Sequence, residues 1–88
     1  MSQHSGSAFR ILRRKQVQAE SGYSRSTIYQ RMTVGLWPKA VKLGPRAVGW
    51  PAREVEALNQ ARIAGADDGR IRALVQSLEG ARGSSLSA

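Results

Sequence analysis

Gly22-Tyr23-Ser24-Arg25-Ser26-Thr27-Ile28-Tyr29-Gln30-Arg31 is the stretch that decides how this chain folds. Gly22 accepts a positive φ that other residues resist, so the backbone can turn sharply there. Ser24 follows as a helix N-cap, its hydroxyl placed for the free amide of Ser26 or Thr27. A helix is expected from there to about Gly35, a residue suited to the position just past a C-terminus. At about 100° per residue, Ile28 and Met32 fall together on a buried face. Ser26, Gln30 and Thr33 project the opposite way, with Thr27 and Tyr29 on the flanks and Arg25 and Arg31 on the shoulders. A helix entered from a tight turn with this outer surface suits the second helix of a helix-turn-helix.

Upstream, a first helix is expected over 14–21, with Val17 inward and Gln16, Gln18 and Glu20 wet. Arg13, Arg14 and Lys15 cluster at its start, where positive charge opposes the helix dipole. A phosphate lying across that end would remove the conflict; three solvated side chains are the alternative. Phe9, Ile11 and Leu12 form a short apolar run, either a brief strand or an extended lead-in to the core. Residues 1–8 are small and polar, carry the single His4, and are expected to be a disordered tail.

Downstream, Leu36-Trp37-Pro38 cannot prolong the helix through proline, and Trp37 is expected in the core. Val41-Lys42-Leu43 and Ala47-Val48-Gly49-Trp50 flank Gly44-Pro45-Arg46, the pattern of a short hairpin. With side chains alternating, Val41 and Leu43 share a face of one strand, and Val48 and Trp50 a face of the other. Leu43, Val48 and Trp50 are therefore expected inside, and Lys42 and Arg46 outside. A basic hairpin beside a helix-turn-helix reads as a wing. Pro51 then suits the first position of a third helix over 51–64, with Val55 and Leu58 inward and Glu54 and Glu56 near its positive end. A fourth helix over 66–79 opens at Asp67 or Asp68 and carries Ile71, Leu74, Val75 and Leu78 as an apolar stripe. The Gly- and Ser-rich residues 80–88 read as a second disordered tail.

Charge is unevenly placed. The 88 residues carry a net charge of +8. Residues 10–53 hold ten bases against the one acid Glu20, giving +9, and residues 54–88 hold four Arg against five acids, giving −1. Such segregation points to a polyanion as partner, since solubility alone does not require it. There is no cysteine, so disulfides and thiolate metal sites are excluded. No carboxylate pair is placed for acid–base work, and an enzyme is not expected. Neither a signal peptide nor an apolar run of roughly 20 residues is present, so a soluble, cytoplasmic chain is expected.

Ser24-Arg25-Ser26-Thr27-Ile28-Tyr29, Trp37-Pro38-Lys39 and Val41-Lys42-Leu43-Gly44-Pro45-Arg46-Ala47-Val48-Gly49-Trp50 together resemble the AlpA family of small phage-type regulators. These are similar in turn to the DNA-binding domains of MerR regulators and to some excisionases. The resemblance covers about residues 11–58. It implies a mainly α fold with a small β-hairpin, a winged helix-turn-helix over 9–64, followed here by an extra C-terminal helix. It also implies control of prophage or integrated-element genes, with residues 24–32 as the reading helix and 42–50 as the wing. Arg14 departs from the apolar residue common at its position, and residues 66–79 extend beyond the family's usual end.

The leading expectation is thus a sequence-specific double-stranded DNA binder acting on transcription. An excisionase-like architectural factor is the alternative in the same fold, and a protein-interaction adaptor acting through the fourth helix the alternative in another class. Base contacts are expected from Ser26, Thr27, Tyr29, Gln30 and Thr33, because Gln pairs bidentately with adenine and Thr or Tyr can touch a thymine methyl. Thr27 as a second capping hydroxyl, and Tyr29 packed under the wing, are the structural alternatives. Backbone phosphates are expected on Arg14, Lys15, Ser24, Arg25, Arg31, Lys42 and Arg46. The core is expected to hold Val17, Ile28, Met32, Trp37, Leu43, Val48, Trp50, Val55 and Leu58. No cofactor, metal, small-molecule ligand or membrane partner is expected. The stripe on the fourth helix is too apolar to stay wet. It either folds back on the domain or builds a homodimer or cooperative oligomer on DNA, and the few base contacts of one helix-turn-helix favour association.

Overall fold

The structure, a computed structural model, describes residues 10–87, with 84–87 as backbone only. The tail expected over 1–8, with His4, and Phe9 lie outside the described residues. The elements are β1 (Ile11–Arg13), α1 (Arg14–Ser21), α2 (Arg25–Thr33), β2 (Val41–Gly44), β3 (Ala47–Pro51), α3 (Ala52–Ile63) and α4 (Asp68–Ser87). The fold is mainly helical, with one small antiparallel sheet ordered β1-β3-β2. No helix among the described residues is long and apolar enough to cross a membrane.

Local chemistry sets the two helices of the helix-turn-helix. Gly22 takes φ 78° and its N–H caps α1 on the Gln18 carbonyl. Ser24 Oγ accepts the N–H of Thr27 at 3.2 Å and opens α2. Two long side chains of α3 then satisfy the free carbonyls at the end of α1. Asn59 Nδ2 donates to Glu20 and Arg62 to Ser21, at 2.9 and 2.8 Å. Cationic and amide donors are favoured at that end of a helix, so α1 and α3 are tied by the same groups that cap α1.

The apolar run before α1 forms a strand: Leu12 pairs with Trp50 and Ile11 with Pro51. The hairpin is therefore the far part of a three-stranded sheet. Gly49 makes the third strand possible, since a Cβ there would stand 2.6 Å from Ile11 Cγ2 and 2.9 Å from the Leu12 carbonyl oxygen. Leu12, Val17, Ile28, Trp37, Trp50, Val55 and Leu58 form the buried centre, with Met32 and Val48 packed partly buried against it. Trp50 is fully buried, and its indole N–H donates to the Pro38 carbonyl at 2.9 Å.

Leu43 does not join this core; it is 41% exposed. Side chains alternate within each strand as expected, but the faces of the two strands are opposed. Val48 pairs with Lys42, so Lys42 shares the face of Val48 and Trp50. Val41 pairs with Gly49, and Leu43 lies against that outer face. An irregularity between Lys42 and Gly44 accompanies the change. A one-residue difference in register inverts every side chain of a strand.

Pro51 ends β3 and precedes α3 rather than opening it, and the first helical amide, that of Ala52, donates to the Arg10 carbonyl. Glu54 stands in the first turn of α3, as expected, and is fully buried there. Its carboxylate oxygens take two bonds from Arg82 of α4, at 2.9 and 2.7 Å. That hydrogen bond outweighs the desolvation opposing it and holds the Arg82 guanidinium above its ordinary value.

α4 departs from one expectation and takes one of the two alternatives weighed for another. It runs on through Gly80 and Gly83 to Ser87 rather than giving way to a tail at 80. Each helical glycine costs about 1 kcal/mol relative to alanine, and the Arg82–Glu54 bridge beyond Gly80 offsets it. Its stripe is also spent within the chain: Ile71 and Val75 are buried in the common core, and Leu74 and Leu78 pack partly buried against it. Asp67 Oδ1 accepts the Arg70 N–H at 2.9 Å and starts the helix.

Candidate nucleic-acid interface

α2 presents one continuous outward stripe. Arg25, Ser26, Tyr29, Gln30 and Thr33 are all exposed, while Ile28 beneath them is fully buried against the core. The spacing follows from a nine-residue helix whose other side must cover Val17 and Trp37. Tyr29 stands in the open rather than under the wing, with the Arg25 guanidinium 5.8 Å from its ring centroid. That distance is within cation–π range, so each side chain limits the other's swing.

Hydroxyls near the start of α2 are mutually engaged. Ser24 Oγ donates to Thr27 Oγ1 at 2.9 Å and also accepts the Thr27 amide. Since Ser24 has only one hydroxyl proton, the 3.3 Å contact with Ser26 Oγ is then a bond that Ser26 donates. Ser24 and Thr27 are thereby capping groups first, and Ser26 keeps its lone pairs for an outside donor. At the other end the Thr33 hydroxyl donates to the Tyr29 carbonyl at 3.1 Å, which leaves its methyl and lone pairs outward. Gln30 is exposed between these two ends, and its amide faces solvent.

Arg31 is turned away from this stripe. It is half-buried, with its guanidinium 5.4 Å from the Tyr23 ring, and its Nε is shielded from water without a hydrogen-bond partner. On a helical wheel Arg31 falls between Thr27 and Ile28, so its position follows from the 100° repeat. Tyr23 also receives the Arg62 guanidinium at 4.1 Å and stands edge-on to Trp37. The shoulder position expected for Arg31 is thus replaced by a role in holding the turn.

A second surface joins α1 to the wing. Arg13, Arg14, Lys15, Arg46 and Val48 line one open cleft of about 380 Å³ with no acid among them. Arg13, Arg14 and Lys15 are the cluster read from the sequence at the start of α1, and the structure adds Arg46 of the wing to the same cleft. Arg13 is held by its own backbone, whose N–H donates to Gln16 Oε1 at 2.8 Å. Lys42 is paired across the strands with Val48, one of the residues lining this cleft. Four gathered cations without a counter-charge repel one another, and an anion between them lowers that energy. Arg14 is half-buried beside the cleft, and its Nε is covered without a hydrogen-bond partner. Among the described residues no group of three His, Asp or Glu side chains is placed to hold a metal ion.

A family model described as prophage CP4-57 regulatory protein (AlpA) matches residues 10–63. A relative from Enterobacteria phage P4, the uncharacterized protein ORF88, is 45% identical over 56 residues. That alignment covers 64% of this chain and 64% of the phage P4 protein. No solved structure matches.

Proposed function

The chain belongs to the AlpA family of prophage regulatory proteins, and we propose that it is a sequence-specific double-stranded DNA-binding protein that regulates transcription of prophage or integrated-element genes. The observation that carries this is the exposed stripe of α2, flanked by the acid-free basic cleft of α1 and the wing. In this reading α2 enters the major groove. Gln30 pairs with an adenine edge, Ser26 offers an acceptor, and Tyr29 and Thr33 meet thymine methyls. Arg13, Arg14, Lys15, Lys42 and Arg46 hold the backbone on one side, and Arg25 beside Tyr29 on the other. Backbone contacts fix the register and carry most of the salt dependence, while base contacts carry the sequence.

The two classes separate by experiment. Gln30→Ala and Ser26→Ala are expected to weaken the preferred duplex and relax preference, by about 1–3 kcal/mol per good base contact. Lys42→Ala and Arg46→Ala are expected to weaken all duplexes alike and to lower the salt slope by about one unit each. Competition titrations at several salt concentrations, against a duplex selected from a random pool, measure both. An intact specific-to-random ratio in Gln30→Ala and Ser26→Ala would show that α2 is not the reading helix.

A further inference from the structure

Residues 34–40 carry the chain from α2 to β2, and so from the outward stripe to the wing. α2 itself packs chiefly on α1. The placement of the wing relative to α2 is set by the sheet against α1 and by what holds this segment, and α4 holds it at Val34 and at Lys39. Arg72 Nε donates to the Val34 carbonyl at 3.0 Å. Glu79 Oε2 accepts the Lys39 N–H at 2.8 Å, and Arg82 donates to the Lys39 carbonyl at 2.8 Å. Between these points the Pro38 carbonyl takes the Trp50 indole N–H. Arg82 is the common member, because the same guanidinium grips both oxygens of buried Glu54 in α3. On α4, Arg72 and Glu79 lie on one flank of the stripe that docks on the core, and Arg82 continues the line of the stripe itself. None of them lies in the family match, which stops at residue 63.

We propose that α4 sets the placement of the wing relative to the reading helix, with Arg82 and Glu79 as positioning residues for DNA binding. This role rests on the DNA-binding reading above. A planar guanidinium serves two acceptors that lie in different directions, the Glu54 carboxylate and the Lys39 carbonyl. The N–H and the carbonyl of Lys39 are thereby both fixed, three residues before Lys42. A tilt at that point would be carried into β2, and with it Lys42 and Arg46 would leave the phosphates they meet.

The test uses the full chain with Arg82→Lys, Glu79→Ala and Glu79→Gln. Arg82→Lys keeps a cation opposite Glu54 but gives up the fork that also reaches Lys39. Glu79→Ala removes a half-buried acceptor and its charge near Arg82 while leaving both partners of the Arg82–Glu54 pair in place, and Glu79→Gln keeps an oxygen there without the charge. Each is titrated with the selected duplex across a range of salt, alone and combined with Lys42→Ala/Arg46→Ala. Residual dipolar couplings of the free proteins report how the wing amides lie relative to α2. The first two variants are expected to bind roughly tenfold more weakly, with a salt slope about one unit lower for each wing base that leaves its phosphate, and Glu79→Gln to behave as wild type. With the wing bases already removed, neither variant should weaken binding further, and the couplings of the wing should have rotated. A general loss of packing would instead give additive losses and an unrotated wing, and would overturn the proposal. Wild-type affinity in folded Arg82→Lys and Glu79→Ala would do the same. Should Arg82→Lys fail to fold, Glu79→Ala decides alone. A wild-type chain that binds no duplex sinks the DNA-binding reading, and an unrotated wing in the free variants separately overturns the role of α4.

Discussion

Two apolar side chains of the hairpin separate structure from surface. Trp50 is fully buried and hydrogen-bonded to Pro38, whereas Leu43 lies against Gly49 on the outer face of the sheet. Trp50→Ala is expected to lower stability by about 3–5 kcal/mol, enough to unfold a domain this small. Leu43→Ser should stay within about 0.5 kcal/mol of wild type. Urea titrations followed by circular dichroism check both, and a heat-stable Trp50→Ala protein that merely binds DNA poorly would contradict the structural role of this indole. The sequence distinguishes these residues only halfway. Alternation tells which positions within one strand go together, but which face of β2 meets the core depends on its register with β3. Register is a relation between strands and leaves no mark within either of them. Gly22 and Ser24 are legible for the opposite reason: a left-handed turn and a cap act on amides within a few residues.

At the scale of elements, the least legible part is α4. Gly80 and Gly83 read as the end of a helix by local propensity, and only a contact from Arg82 to a glutamate in α3 carries the helix past them. Glu54 looks like an ordinary acid at a helix start, because nothing local reveals that position as buried. The stripe of Ile71, Leu74, Val75 and Leu78 is plain in the sequence; its occupant is not. Since Val75 is almost wholly buried in the common core, Val75→Asp is expected to destabilise the entire domain by at least about 2 kcal/mol. Wild-type protein should meanwhile sediment at the 9.6 kDa of one chain. A folded Val75→Asp variant that dissociates a wild-type dimer would show instead that the stripe serves association. The bounds of the first two helices and of the two hairpin strands, by contrast, are readable almost to the residue, and the outward stripe of α2 with them, because turn, cap and helical repeat are all local.

Over the whole molecule, the +9 of residues 10–53 falls on the part that presents α2, the basic cleft and the wing, while the nearly neutral remainder supplies the helices behind it. One side carries the basic surface and the other packs behind it. The sheet that joins them has a consequence for how fast the fold is reached. Ile11 pairs with Pro51, so both helices of the helix-turn-helix and the hairpin lie inside a loop that β1 closes. Closing a loop has an entropy cost that rises with its length, whereas α1, α2 and the hairpin draw on contacts near in sequence. β1 is therefore expected to dock late, after the transition state for folding has been crossed. In stopped-flow experiments Leu12→Ala should then lose its stability through faster unfolding at an almost unchanged folding rate, a φ-value near zero, and a value of about 0.5 or more would place β1 in the nucleus.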